Sequence, residues 1–171
     1  YYVPSVGRAY QDIAALETNV RYGALMRNMH RWMAHGMVLT VLLHMMRVFY
    51  TGAYKPPREF NWVVGVILLI LTLLLSFTGY LLPWDQKGYW ATNVATNRAT
   101  LVPVVGKDLQ QLAVGGTQYG HHTLTRFFAM HTGVLPALLV AFLIAHIAGF
   151  RRHGITAQIT PGRADEFFWP K

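Results

Sequence analysis

The stretch NWVVGVILLILTLLLSFTGYLLPW, from Asn61 to Trp84, contains no charged residue. It exceeds the roughly 20 apolar residues an α-helix needs to cross a hydrocarbon layer. Inside that layer no water satisfies backbone N–H and C=O groups, so a single span of this kind must be a helix. This run sets the fold class, an all-α membrane protein. Leu25 to Tyr50 and Leu124 to Phe150 read as two further spans, giving a three-span helical bundle. Hydrophobic residues make up 53% of the chain and charged ones only 13%, against about 25% charged in soluble domains. The mean hydropathy is +0.28.

The connections differ in kind. TGAYKPPREF (Thr51 to Phe60) is a short basic turn with paired prolines, which stop one helix before the next begins. The loop from Asp85 to His122 is long and mixed in polarity, and such a loop is functional or carries short helices of its own. Residues 1–22 read as an amphipathic surface segment around AYQDIAALETNV, and residues 157–171 as a polar tail, leaving 23–156 as the membrane domain. The chain starts at Tyr1 without a signal-peptide pattern, which reads as the interior of a longer chain or a processed end.

The net charge is +8. The basic residues sit at the ends of apolar runs, where anionic headgroups and the positive-inside bias favour them, so no nucleic-acid partner is implied. Arg47, Lys55 and Arg58 follow the first span, and Arg151 and Arg152 follow the third. Three spans bring those ends to one side, the n-side, with residues 1–22 and the long loop on the p-side. The absence of cysteine excludes disulfides, iron–sulfur ligation and covalent haem attachment through this stretch.

Within the apolar runs stand His30 and His44, 14 positions apart, and His131 and His146, 15 apart. At about 1.5 Å per residue these steps span roughly 21 and 22.5 Å, and at 3.6 residues per turn they return within about 40° and 60° of their starting direction. Each helix thus presents two imidazoles on one broad face, one near each membrane surface. The two helices run parallel, so His30 pairs in depth with His131 and His44 with His146. Two imidazoles per site in an apolar bundle suit the axial positions of a haem iron, whereas zinc or copper takes more protein ligands. The expected cofactors are two non-covalent, bis-histidine b haems. His35, His121, His122 and His153 lack a partner at matched depth and read as structural or loop residues.

Gly65 and Gly79 in the middle span repeat the 14-residue interval. A missing side chain at each haem depth lets a porphyrin approach the backbone, or lets helices pack closely. Arg27 and Arg47 lie three positions from His30 and His44, within reach of haem propionates.

The segments HRWMAHGMVLTVLLHMMRV, YKPPRE, GYLLPWDQKGYWA and TLTRFFAMHTGVLP together resemble the cytochrome b/b6 family of quinol-oxidising complexes. The resemblance runs from about Tyr1 to Thr156, and the 15-residue histidine step is closest to the short b6 type of split cytochrome b. It implies that His30 and His131 ligate one haem and His44 and His146 the other, with Gly65 and Gly79 facing the haems. Arg27, Arg47 and Arg126 then lie near propionates. It places Tyr80, Pro83, Trp84, Trp90 and Ala91 in a p-side quinol pocket, with quinol and quinone as substrates. It implies a Rieske iron–sulfur protein, a c-type cytochrome and a subunit IV-like partner, or a C-terminal cytochrome b part, carrying a P-E-W-Y motif absent here. The implied setting is a dimeric bc1/b6f-type complex in a bacterial inner membrane, alternatively a thylakoid. The family carries one more membrane helix before the position of Tyr1, and the b6 type's additional haem uses a cysteine near that part. The ending ADEFFWPK is longer than a b6 ending and resembles a polar segment of some bacterial cytochromes b. Other functions for a chain of this pattern are a dihaem anchor of a dehydrogenase, which lacks the PWDQKGYW loop, and a non-redox transport or structural subunit, expected to carry intramembrane carboxylates or broken helices.

Overall fold

The computed structural model of the chain describes residues 1–154, and the tail expected over 157–171 lies outside them. Its helices are α1 (Ala9–Asn19), α2 (Gly23–Tyr50), α3 (Glu59–Leu81), α4 (Gln86–Asn97), α5 (Gly106–Val114), α6 (His121–Ala129) and α7 (Leu135–His153). A 3₁₀ turn, Arg98–Leu101, follows α4, and a π-helical turn, Met130–Val134, joins α6 to α7. No strand occurs among the described residues. Three stretches are long and apolar enough to cross a membrane: Gly23–Tyr50, Glu59–Leu81 and the continuous rod His121–His153.

The middle span ends at Leu81, short of the Trp84 read from sequence. Pro83 has no N–H with which to continue the ladder, and Trp84 takes φ +52°, turning the chain while its N–H bonds the Leu81 carbonyl at 2.8 Å. Asp85 then starts α4, its carboxylate accepting the Gly88 N–H at 2.7 Å. This is an N-cap, which satisfies one of the helix's orphan donors. The long loop carries α4 and α5, as its length implied.

At one end of the bundle Ala9, Leu81, Leu124 and Phe127 form a buried cluster, with Tyr2, Phe77, Leu82 and Trp84 packed against it. The cluster joins α1, α3 and α6. Tyr2 reinforces it by donating its hydroxyl to the Leu82 carbonyl at 2.7 Å. Burial, with the Asp12 charge adding to it, pushes the Tyr2 phenol up to about 12. Elsewhere large apolar side chains such as Leu39, Leu42, Ile70 and Ile144 face outward, the arrangement expected where the surroundings are lipid.

α3 packs along α7, and α2 packs on α1 and α3. Between α2 and the α6–α7 rod, however, no two Cα atoms come within 8 Å over the described residues. α2 buries only Gly23. Across the cleft between these two parallel helices, histidines of one face histidines of the other.

Candidate functional site

Across this cleft His30 meets His131 with ring centres 6.0 Å apart, and His44 meets His146 at 6.3 Å. The pairing read from depth is therefore the pairing found in space. The 15-residue step on the third span first looks mismatched to the 14-residue step on α2. The π turn resolves it. The Leu135 N–H reaches back five residues to the Met130 carbonyl, so the turn holds one residue more than an α turn. One surplus residue is absorbed just after His131, and the 15-step brings its ends into phase as the 14-step does. Pro136 stands immediately beyond it and, lacking an N–H, leaves a ladder bond unmade where the helix is already widened.

The two partners of each pair are held differently. His30 and His44 are exposed on α2, whereas His131 and His146 are half-buried against α3. The His131 Nδ1 lies 3.0 Å from the Leu75 carbonyl and 3.3 Å from the Thr78 hydroxyl. A carbonyl only accepts, so Nδ1 carries the proton and Nε2 keeps its lone pair free for a ligand. The Thr78 hydroxyl itself donates to the Leu74 carbonyl at 2.8 Å, which leaves its oxygen as an acceptor toward the ring.

The glycines explain how an imidazole reaches a helix backbone. A Cβ built on Gly79 falls 2.5 Å from His131 Cε1, and one on Gly65 falls 3.3 Å from His146 Cε1. Each glycine stands four residues after the carbonyl its histidine faces, Leu75 for His131 and Asn61 for His146. In a helix the side chain at position i screens the carbonyl at i−4, and glycine removes that screen. In this structure both glycines lie directly against the histidine rings.

The arginines divide. Arg27 forms an ion pair with Glu17, tying α1 to α2 across the connecting turn. Its guanidinium, expected near a haem propionate, lies beside the Glu17 carboxylate. Arg126 donates to the Leu112 carbonyl, bracing α6 against the end of α5. Arg47 is exposed one turn beyond His44, in the last turn of α2.

The five residues expected in a quinol pocket lie along the end of α3, the following turn and α4. Trp90 and Ala91 line an open recess of about 580 Å³ with Val94, Ala95 and Arg98. Trp84 lines another, of about 550 Å³, with Tyr10, Asp85, Gln86 and Lys87. Tyr80 is exposed on α3, and Pro83 forms the turn between the two. Sequence reasoning missed Leu75, Thr78, Val94, Ala95, Arg98 and Tyr10. Of these, only Thr78, a polar residue beside Gly79 in an apolar span, carried a visible signal.

Two imidazoles bound end-on to one metal at about 2.0–2.1 Å have ring centres roughly 6 Å apart. Both measured separations fit that. Among the described residues no three His, Cys, Asp or Glu side chains gather, so a metal between these pairs needs its remaining ligands from a macrocycle rather than from protein. The donor set fits haem.

Residues 35–170 match the family profile described as cytochrome b(N-terminal)/b6/petB. The chain belongs to the cytochrome b/b6 family. It is 46% identical to cytochrome b6 of Gracilaria tenuistipitata var. liui over 159 residues, 93% of this chain and 74% of that one. Cytochrome b6 of Acaryochloris marina is 44% identical over the same extent. Among solved structures, a chain of a hyperthermophilic respiratory complex III matches with a TM-score of 0.83 and 31% identity, covering 91% of this chain. This chain spans 42% of that one. The all-helical bundle and its three spans are thus those of the family.

Proposed function

We propose that this chain is the dihaem cytochrome b subunit of a bc1/b6f-type quinol:cytochrome c or plastocyanin oxidoreductase. In this role it oxidises quinol on the p-side and carries electrons across the membrane toward an n-side quinone site. The observation that carries the proposal is the stacking of two histidine pairs, at 6.0 and 6.3 Å, in a cleft that no backbone crosses. His30 and His131 hold the p-side b haem, and His44 and His146 the n-side one; bound there, each supplies one-electron redox chemistry at iron. Family membership favours this reading over a dehydrogenase anchor or a transporter.

The chain's own residues contribute positioning. Leu75 and Thr78 fix the tautomer and orientation of His131, which raises its basicity as a ligand. Gly65 and Gly79 let the rings sit against α3. Arg47 places a positive charge at the n-side end of α2, within reach of a propionate. The recess lined by Trp90, Ala91 and Arg98 offers an apolar floor with one cationic edge on the p-side for a quinol ring.

Quinol oxidation also needs a base at the hydroxyl. Asp85 is committed to capping α4, and the P-E-W-Y segment is absent from the sequence. The base therefore comes from a subunit IV-like partner or a C-terminal cytochrome b part. A Rieske iron–sulfur protein serves as first acceptor and a c-type cytochrome follows, in a dimeric complex of an energy-transducing membrane. The test is quinol-dependent reduction of the b haems. The 171-residue chain alone should bind haem and show none, and co-purified partners should restore it. Turnover by the isolated chain overturns the assignment of the base to a partner.

A further inference from the structure

The helix α4 turns two faces to different surroundings. Gly88, Thr92 and Thr96, one turn apart, are buried, whereas Trp90, Ala91, Val94, Ala95 and Arg98 line the recess proposed for quinol. The start of α4 is fixed on α3. A Cβ on Gly88 would fall 2.5 Å from the Tyr80 carbonyl oxygen, and Asp85 caps the first turn. The other end is held differently, because no Cα of α4 comes within 8 Å of one in α6 or α7 over the described residues.

Tyr119 spans that gap. It stands two residues before the start of α6, and its hydroxyl lies 2.6 Å from Thr96 Oγ1. The Thr96 O–H is donated to the Thr92 carbonyl at 2.8 Å, and a carbonyl only accepts. The Tyr119 O–H is therefore the donor, at the length of a good O–H···O bond. Gln110 of α5 donates to the same phenol oxygen at 3.4 Å and also to Asn97, the last residue of α4. The Tyr119 ring meets Tyr89 edge-on at 5.8 Å, and Tyr89 meets Trp90, in the recess wall, at 5.2 Å. Tyr119 is itself anchored on the α6 side. The next residue, Gly120, donates its N–H to the Thr123 hydroxyl at 3.2 Å, and that buried hydroxyl donates to the Val114 carbonyl at 2.6 Å.

We propose that Tyr119 is a positioning residue for quinol oxidation, its hydroxyl pinning Thr96 so that the α4 recess keeps its place beside the rod that carries His131. A hydrogen bond of this kind shifts an equilibrium by about 2- to 13-fold. Without it α4 spends less time in the position that accepts substrate, and apparent affinity falls by the fraction lost. Bound quinol selects the competent position, so the effect falls on KM rather than on kcat.

The inference rests on the assignment of the recess to quinol, and the experiment separates the two. The complex assembled with its partners is assayed for quinol-dependent cytochrome reduction, normalised to p-side haem content. Tyr119→Phe keeps the ring against Tyr89 and removes only the hydroxyl. KM for quinol should rise about 2- to 13-fold, with kcat per haem and the p-side difference spectrum retained. Thr96→Val removes the acceptor and should give the same rise, and the double variant should be no worse than either single one, because all three lack one bond. Thr96→Ser keeps the hydroxyl and should retain the parent KM. A general loss of stability would instead lower haem content and leave KM in place. Should Tyr119→Phe fail to assemble, Thr96→Val against Thr96→Ser decides the same question. An unchanged KM in the haem-replete variants, or effects that multiply in the double variant, overturn the role of Tyr119. A parent complex that carries both haems yet oxidises no quinol overturns the quinol assignment itself.

Discussion

Alanine at position 79 is the smallest change that tests how the imidazoles are seated. The new Cβ lies 2.5 Å from His131 Cε1, 3.0 Å from Nδ1 and 3.1 Å from Nε2. All three atoms belong to one rigid ring, and that ring is tied to the Leu75 carbonyl. The ring must move away from α3 and give up the bond. Overpacking costs about 1–3 kcal/mol and the lost bond about 0.5–1.5 kcal/mol, together about 1.5–4.5 kcal/mol, or roughly 10- to 2000-fold in the equilibrium that holds the ring. At Gly65 the nearest ring atom is 3.3 Å from the added Cβ and the next is 3.9 Å, so a shift of a few tenths of an ångström suffices. Gly79→Ala should accordingly lose most p-side haem, and Gly65→Ala should keep the n-side one with a modest change of spectrum. Haem content by pyridine haemochrome, with low-temperature difference spectra to separate the two components, measures both. Full retention of the p-side component in Gly79→Ala, or a greater loss in Gly65→Ala, would refute the seating argument.

Three further outcomes follow from the same geometry. Replacing His30 or His131 with alanine should remove the p-side haem and spare the other, and replacing His44 or His146 should do the converse, each readable in the difference spectrum. Arg47→Leu removes a positive charge near the n-side haem and should lower its midpoint potential; an unchanged midpoint with haem retained assigns Arg47 to the headgroup region instead. The Tyr2 phenol is pushed up to about 12, above its ordinary value of about 10. Its neutral form is the one that donates to Leu82, so its contribution to docking the N-terminal segment is complete below pH 10 and disappears as pH rises through about 12. Limited proteolysis near Tyr2 across that window should show the loosening, and Tyr2→Phe should show it already at pH 8.

Much of the scaffold was legible because membrane spans are written in length and charge. The charge-free run around Leu71 and the histidine intervals needed no tertiary information, since helical rise and twist convert them directly to depth and facing. The π turn was not legible. Where the surplus residue is absorbed depends on how His131 packs against Gly79. Gly65 and Gly79 were recognised by interval, whereas their contact with the imidazoles depends on which face of α3 meets α7. The Arg27–Glu17 ion pair was not legible either, because Glu17 comes from a separate helix folded back through a turn, and a helical-neighbour argument sees only positions along one helix. The left-handed Trp84, which turns the chain between Tyr80 and Trp90, has no sequence signature of its own.

The central claim, two bis-histidine haems between α2 and α7, is tested most directly by combining a haem count with a redox titration of the intact subunit. The account predicts two b haems per chain by pyridine haemochrome, titrating as two one-electron components, one abolished by His30→Ala and the other by His44→Ala. Absence of haem in the intact subunit, or a single component that survives both substitutions, would contradict it.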